Sequence, residues 1–190
     1  MPDRFDRAIA AIDAANADDP TTIVVRGEER PKELAHAELV SGWVVVLRPD
    51  ASEALRLAAR AHHLRRWTVP RTSYPTGRAG YLRWRRDLHE QHAREVGEIV
   101  ASVGYDDATI ARVQDLVRKR GLGRDQEVQT LEDALCLVFL ETQFDDLAAR
   151  MDPEKLDGVV DKTLKKMSPD AIARVADLDL TPEARARLER

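Results

Sequence analysis

Helix-start signals recur along this chain so closely that little room is left for an extended sheet. Three of them pair a capping residue with a proline at the first helical position: Asp152-Pro153, Ser168-Pro169 and Thr181-Pro182. Asp106 and Thr130 are expected to cap two further helices, and Asp50 with Glu53 has the spacing of a capping box. Between the signals apolar residues recur at helical spacing, as in Phe5, Ile9, Ile12 and Ala15. The pattern predicts a first helix ended by Asp18-Asp19-Pro20 and a second from Pro31 towards Leu47. A third is expected from the Asp50 cap to about Trp67, and a fourth from about Tyr81 to Val103. A fifth runs from Asp106 to Val117, and an apolar sixth follows Thr130. Only residues 20–30 and Trp43–Leu47 read as β-like; both are short, and the latter is assigned to helix. The expected fold class is all-α, a helical bundle over residues 1–150 with a small helical appendage, 151–190, packed on it. The stretch TVPRTSYPTGRAG, residues 68–80, reads as a structured loop inside the bundle.

Composition narrows the function classes. With 190 residues, 43% of them hydrophobic and 34% charged, the chain can bury one core and stay in solution. No apolar run approaches the roughly 20 residues of a membrane span, and MPDRFDRAIA lacks the apolar centre of a signal peptide, so a cytoplasmic protein without membrane contact is expected. The single cysteine, Cys136, excludes a disulfide framework and a thiolate zinc site, and reads as a core thiol.

Charge is unevenly spread. Residues 60–94 hold nine arginines, no lysine and two acids, Asp87 and Glu90, so this window carries +7 in a chain of net charge −4. Four of the nine aromatics, Trp67, Tyr74, Tyr81 and Trp84, lie in the same window, and all five histidines fall between His36 and His92. A working site is expected there. Guanidinium groups bind phosphate or carboxylate bidentately, so Arg66, Arg71, Arg78 and Arg83, with Tyr74 and Tyr81, are candidate contacts for a phosphorylated or otherwise anionic small molecule. The alternative is internal pairing with the acids elsewhere in this arginine-rich chain. Nucleic acid is not favoured, because the net charge is negative and no recognition motif is present.

Register places metal-competent side chains on apolar faces. His36 shares a stripe with Val40, Trp43 and Leu47, and His62 lies with Leu55, Ala58 and Ala59, its neighbour His63 stacking over Ala59 and Trp67. His92 lies with Leu88, Val96 and Ile99, and Asp133 with Leu137, Leu140 and Phe144. Burying four such groups separately is costly, and a shared divalent cation removes that cost. His89 with His92 at i, i+3 is a second, commoner chelating pair. Glu141, two turns beyond Asp133, is the candidate proton-transfer residue.

The run ASEALRLAARAHHLRRW resembles the metal-binding helix of the HD-domain superfamily, an apolar stretch ending in His-Asp. His36 resembles that superfamily's first histidine, HEQHAREVGEIVASVGYDDATIARVQDLV its next helix pair, and QTLEDALCLVF its final aspartate helix, with Asp133 at the ligand position. The likeness covers residues 31–145. His62-His63 stands where His-Asp is expected, and an imidazole cannot bridge two ions, so the resemblance implies one metal rather than two. Val117-Arg118-Lys119-Arg120 also lacks the histidine some members carry there. The run HHLRRWTVPRTSYPTGRAGYLRWR is closer to the signature of the domain of unknown function 4202 family, itself similar to a divergent HD relative. That likeness implies His63 over His62 as ligand and adds Glu38 as an acidic ligand beside His36.

These readings lead to one expectation: a hydrolase of HD-like type, using Mn, Fe, Ni or Zn held by His63 (or His62), His92, Asp133 and either His36 or Glu38. Its substrate would be a phosphorylated small molecule, for instance a nucleotide. Two other classes stay open, a non-catalytic metal- or anion-binding sensor on the same scaffold and an iron-dependent oxygenase. A homodimer is compatible with either.

Overall fold

A computed structural model describes residues 2–188; Met1 and residues 189–190, the outer ends of the two expected segments, lie outside the described residues. Helix α1 (Arg4–Ala17) starts where the Asp3 carboxylate accepts from the Asp6 N–H, and turns Ala8, Ile12 and Ala15 inward. A two-stranded antiparallel hairpin follows, β1 (Thr22–Val25) on β2 (Glu28–Pro31), with Thr22 opposite Pro31. Pro31 thus closes a strand before helix α2 (Lys32–Leu47) begins, and Trp43–Leu47 is helical as expected.

Both ends of the third helix differ from the sequence expectation. Helix α3 (Glu53–Ala61) is capped by Ser52, whose side chain accepts from the Leu55 N–H, rather than by Asp50. It also stops at Ala61, well before Trp67, because Arg65 takes a left-handed backbone conformation, φ 50°. His62 and His63 therefore sit in a turn, not on a helical stripe.

The loop that follows is structured. Arg71 donates to the carbonyls of Tyr74 and Pro75, and the Trp84 indole donates to the Val69 carbonyl at 2.9 Å. A Cβ at Gly80 would lie 1.9 Å from the Pro75 oxygen, so only glycine lets this loop close on α4 (Gly77–Ser102). Helix α5 (Asp107–Val117) has the expected Asp106 cap. Helix α6 (Gln126–Arg150) begins before Thr130, capped by Asp125, and the Thr130 hydroxyl instead donates to the Gln126 carbonyl. Helices α7 (Pro153–Leu164), α8 (Pro169–Ala173) and α9 (Pro182–Leu188) start at the three expected cap-proline pairs.

The architecture is all-α, with one small hairpin among the described residues. Two buried apolar clusters meet along α6. The first joins α1–α5 to Val128, Leu131, Ala134 and Val138; the second joins Leu137, Leu140 and Phe144 to Leu156, Val160, Ala171 and Ala184 of the last three helices. Trp43 and Leu47 of α2 touch both clusters. No described helix is long and apolar enough to cross a membrane.

Candidate metal and anion site

The end of α1 assembles the site. The buried Asn16 side chain accepts from the Arg65 N–H at 3.0 Å, which fixes the left-handed turn after α3. The buried Asp19 carboxylate accepts from the N–H groups of Thr21 and Glu33, which fixes the start of α2. Glu33 and His36, one turn apart on α2, are thereby brought against His63 from the turn.

These three residues offer ligand atoms within 4.8 Å of one another. His63 Nδ1 lies 3.1 Å from Glu33 Oε2, and His36 Nδ1 lies 3.9 Å from the same oxygen. The proton positions follow from the partners. The Thr142 hydroxyl donates to the Val138 carbonyl, so its contact with His36 Nε2 at 3.3 Å is donated by the imidazole. That leaves a bare lone pair on His36 Nδ1 facing a carboxylate oxygen, an arrangement that could hold a cation. Arg66 Nη1 lies 3.0 Å from His63 Nε2, leaving His63 Nδ1 to donate its proton to Glu33. A metal ion entering here would displace that proton.

Two more histidines surround the triad. The His62 ring is 4.2 Å, and the His92 ring 5.9 Å, from that of His63. His92 Nδ1 donates to the Leu64 carbonyl at 2.8 Å, which leaves Nε2 a lone pair, and that atom is buried with no partner. Burial holds His36 below the ordinary range and His62 and His63 well below it, with neighbouring imidazoles adding to the effect for His62 and Arg66 for His63. The set is neutral at pH 7, the form that ligates metal.

His89 and His92 are each brought down to about 4, chiefly by burial. An unfolded histidine titrates near 6.5, so the unfolded chain takes up these protons first as pH falls. The stability these two groups contribute should be intact above pH 6.5, decline below it and be fully lost near pH 4. For the buried His92 alone the loss is about 3 kcal/mol. Urea unfolding of chelator-treated protein from pH 7.5 to 4 would read it as a falling midpoint; a flat profile would refute the buried neutral state.

All five histidines line a cavity of about 430 Å³, within the size range of small-molecule sites. Arg66, Arg85, Lys119, Lys162 and Lys166 line it too, against one acid, Glu132. Tyr81 stands at its rim, 42% exposed and 5.9 Å from the Trp84 ring. Cys136 lies in the wall with its thiol pushed up to about 12 by burial, an unreactive group.

The structure brings His36, His62, His63, His92, Arg66 and Tyr81 to this cavity and takes the other candidates elsewhere. The Asp133 carboxylate accepts from the Ser168 N–H and hydroxyl, at 2.8 and 2.6 Å, and so anchors α8. Glu38 pairs with Arg30 and Arg60 on the hairpin side of α2, where Arg30 holds its carboxyl below the usual range. Glu141 accepts from the Trp43 indole in that same region. Arg71 is spent on loop carbonyls, the Tyr74 hydroxyl donates to Asp87, and Arg78 and Arg83 are exposed outside the cavity. Sequence reasoning missed Glu33, Glu132 and the three lysines, and Arg85 of the arginine window was not among those singled out. For Glu33 the signal was present, a carboxylate three residues before His36 on the same helix.

The sequence profile of one family, described as Domain of unknown function (DUF4202), matches residues 6–187. The chain belongs to the DUF4202 family. The match spans α1 to α9, so the family unit includes the C-terminal segment that supplies Lys162 and Lys166. No curated protein and no solved structure matches the chain.

Proposed function

We propose that the protein is a metal-dependent hydrolase of a phosphorylated small molecule. The observation that carries this reading is the Glu33–His36–His63 triad opening onto a cavity whose other charged groups are nearly all cationic. Two imidazoles and one carboxylate, with a further bare imidazole nitrogen on His92, suit a first-row transition ion better than Mg²⁺ or Ca²⁺. Arg66 next to His63 opposes a second positive charge, so one ion is the natural occupancy. When bound, such an ion lowers the pKa of water to about 7 and polarises a phosphoryl oxygen.

The chain's own groups do the rest. Glu33, His36 and His63 hold the ion, and Asn16 and Asp19 keep them in place from α1. Arg66 and Arg85 face the cavity as donors to phosphoryl oxygens, and Leu88, Leu135 and Phe139 exclude water around them. The likeness of residues 31–145 to the HD-domain superfamily points the same way, with Glu33 in place of Glu38 and Asp133 in the ligand set.

Elemental analysis of untagged protein, followed by a phosphate-ester screen with Mn²⁺, Fe²⁺, Ni²⁺ and Zn²⁺, tests the proposal. Near one ion per chain and metal-dependent phosphate release are expected. No ion retained after reloading with all four would refute it; an ion bound without turnover of any ester would favour the sensor reading.

A further inference from the structure

We propose that Lys119, Lys162 and Lys166 form a second anion subsite in the cavity, and hence that the substrate carries a second anionic group besides the one cleaved. The substrate class is a small bis-anion, such as a bisphosphate or a phosphorylated carboxylic acid. The assignment as a substrate contact rests on the hydrolase reading; the subsite itself does not.

Residue choice is the first argument. The chain has 30 basic residues, of which only six are lysines, yet three of the six line this one cavity. Lysine is a compact, swivelling point charge suited to a phosphate that arrives and leaves, whereas this chain uses arginine for its fixed internal pairs. Arg60 with Asp13 and Arg112 with Asp125 are examples of the latter.

Backbone conformation is the second. Lys119 has φ 59°, a left-handed conformation that is strained for a non-glycine residue. The turn after α5 keeps a lysine there although glycines stand at 121 and 123, and the strain carries the ammonium into the cavity with only 19% of the side chain exposed. Strain held at a charged cavity residue marks a position kept for its side chain.

Charge balance is the third. The Glu132 carboxylate, 6% exposed, is shared between Lys119 and Lys166, the second at 3.7 Å. Lys162 has no ion-pair partner among the described residues, so one internal carboxylate faces three ammonium groups. Glu132 holds Lys119 and Lys166 converged without neutralising the subsite, and an incoming dianion restores the balance.

The test uses the full-length protein stripped of metal, with inorganic pyrophosphate as the probe in calorimetry. Wild type should bind it, and Lys162→Gln with Lys166→Gln, both exposed positions, should weaken binding about tenfold or more. Glu132→Gln should tighten it several-fold by releasing two lysines. Metal content after reloading should be unchanged in the lysine variant. No binding by wild type, or equal binding by the lysine variant, would overturn the subsite. Pyrophosphate binding by a protein that retains no metal would leave the subsite standing while the hydrolase reading falls.

Discussion

Glu33→Gln should lose its metal while keeping its fold. The amide preserves the shape of the carboxylate and can still accept from His63 Nδ1 at the same 3.1 Å contact, so the start of α2 has no reason to move. What disappears is the only negative charge in the triad, and Arg66 then confronts an entirely neutral ligand set. Affinity should fall by more than the roughly 10- to 100-fold that follows loss of an outer-shell partner, and metal-dependent phosphate release should fall with it. Asp133→Asn is the matched control. That carboxylate holds Ser168 and receives a side-chain N–H from Gln129, so its loss should cost about 1–3 kcal/mol of stability and leave metal content unaltered. Elemental analysis and urea unfolding of the two variants give opposite signatures. Metal lost in Asp133→Asn and kept in Glu33→Gln would restore the ligand set implied by the HD resemblance.

Phe144→Ala should produce the largest loss of stability, about 3–5 kcal/mol. Phe144 is fully buried on the part of α6 that receives α7–α9, with an edge-on contact to Phe139. Removing it opens a hole beneath α7, which carries Lys162, and the turn after it, which carries Lys166, and Phe139, which lines the cavity, loses its neighbour. Because α6, Trp43 and Leu47 belong to both clusters, denaturation of the wild type should be a single transition. In the variant the midpoint falls and pyrophosphate binding weakens, while the metal triad on α2 and the α3 turn is spared. A change under 1 kcal/mol would mean that the second cluster contributes little.

The helices were legible because their signals are local. Asp106, Asp152, Ser168 and Thr181 announce a helix within four residues, and the apolar period confirms it. What misled were contacts between distant positions. Helix α3 looks continuous to Trp67 until Asn16, 49 residues away, takes the Arg65 N–H and turns the chain. That turn changes which way His63 faces, so a helical stripe could not give its partner. Glu132 and Asp133 are neighbours on α6, both buried; where α8 docks decides that the second anchors Ser168 and the first meets the lysines. Glu33 was hidden by its own plausibility, since an acid in a first helical turn already has a role with the helix dipole.

The three triad residues lie within one stretch, Glu33 to His63, whereas the lysine wall draws on positions 119 to 166. Closing a loop of about 30 residues costs little more entropy than closing a short one, so the triad can assemble as soon as α1, α2 and the α3 turn have met. The lysine wall needs α7 as well, and α7 packs on α6, whose own contacts with α2 span 98 to 106 residues and are slow to form by topology. The order of assembly therefore separates two chemistries in time: a centre able to take up an ion comes first, and the pocket able to choose among anions is finished last.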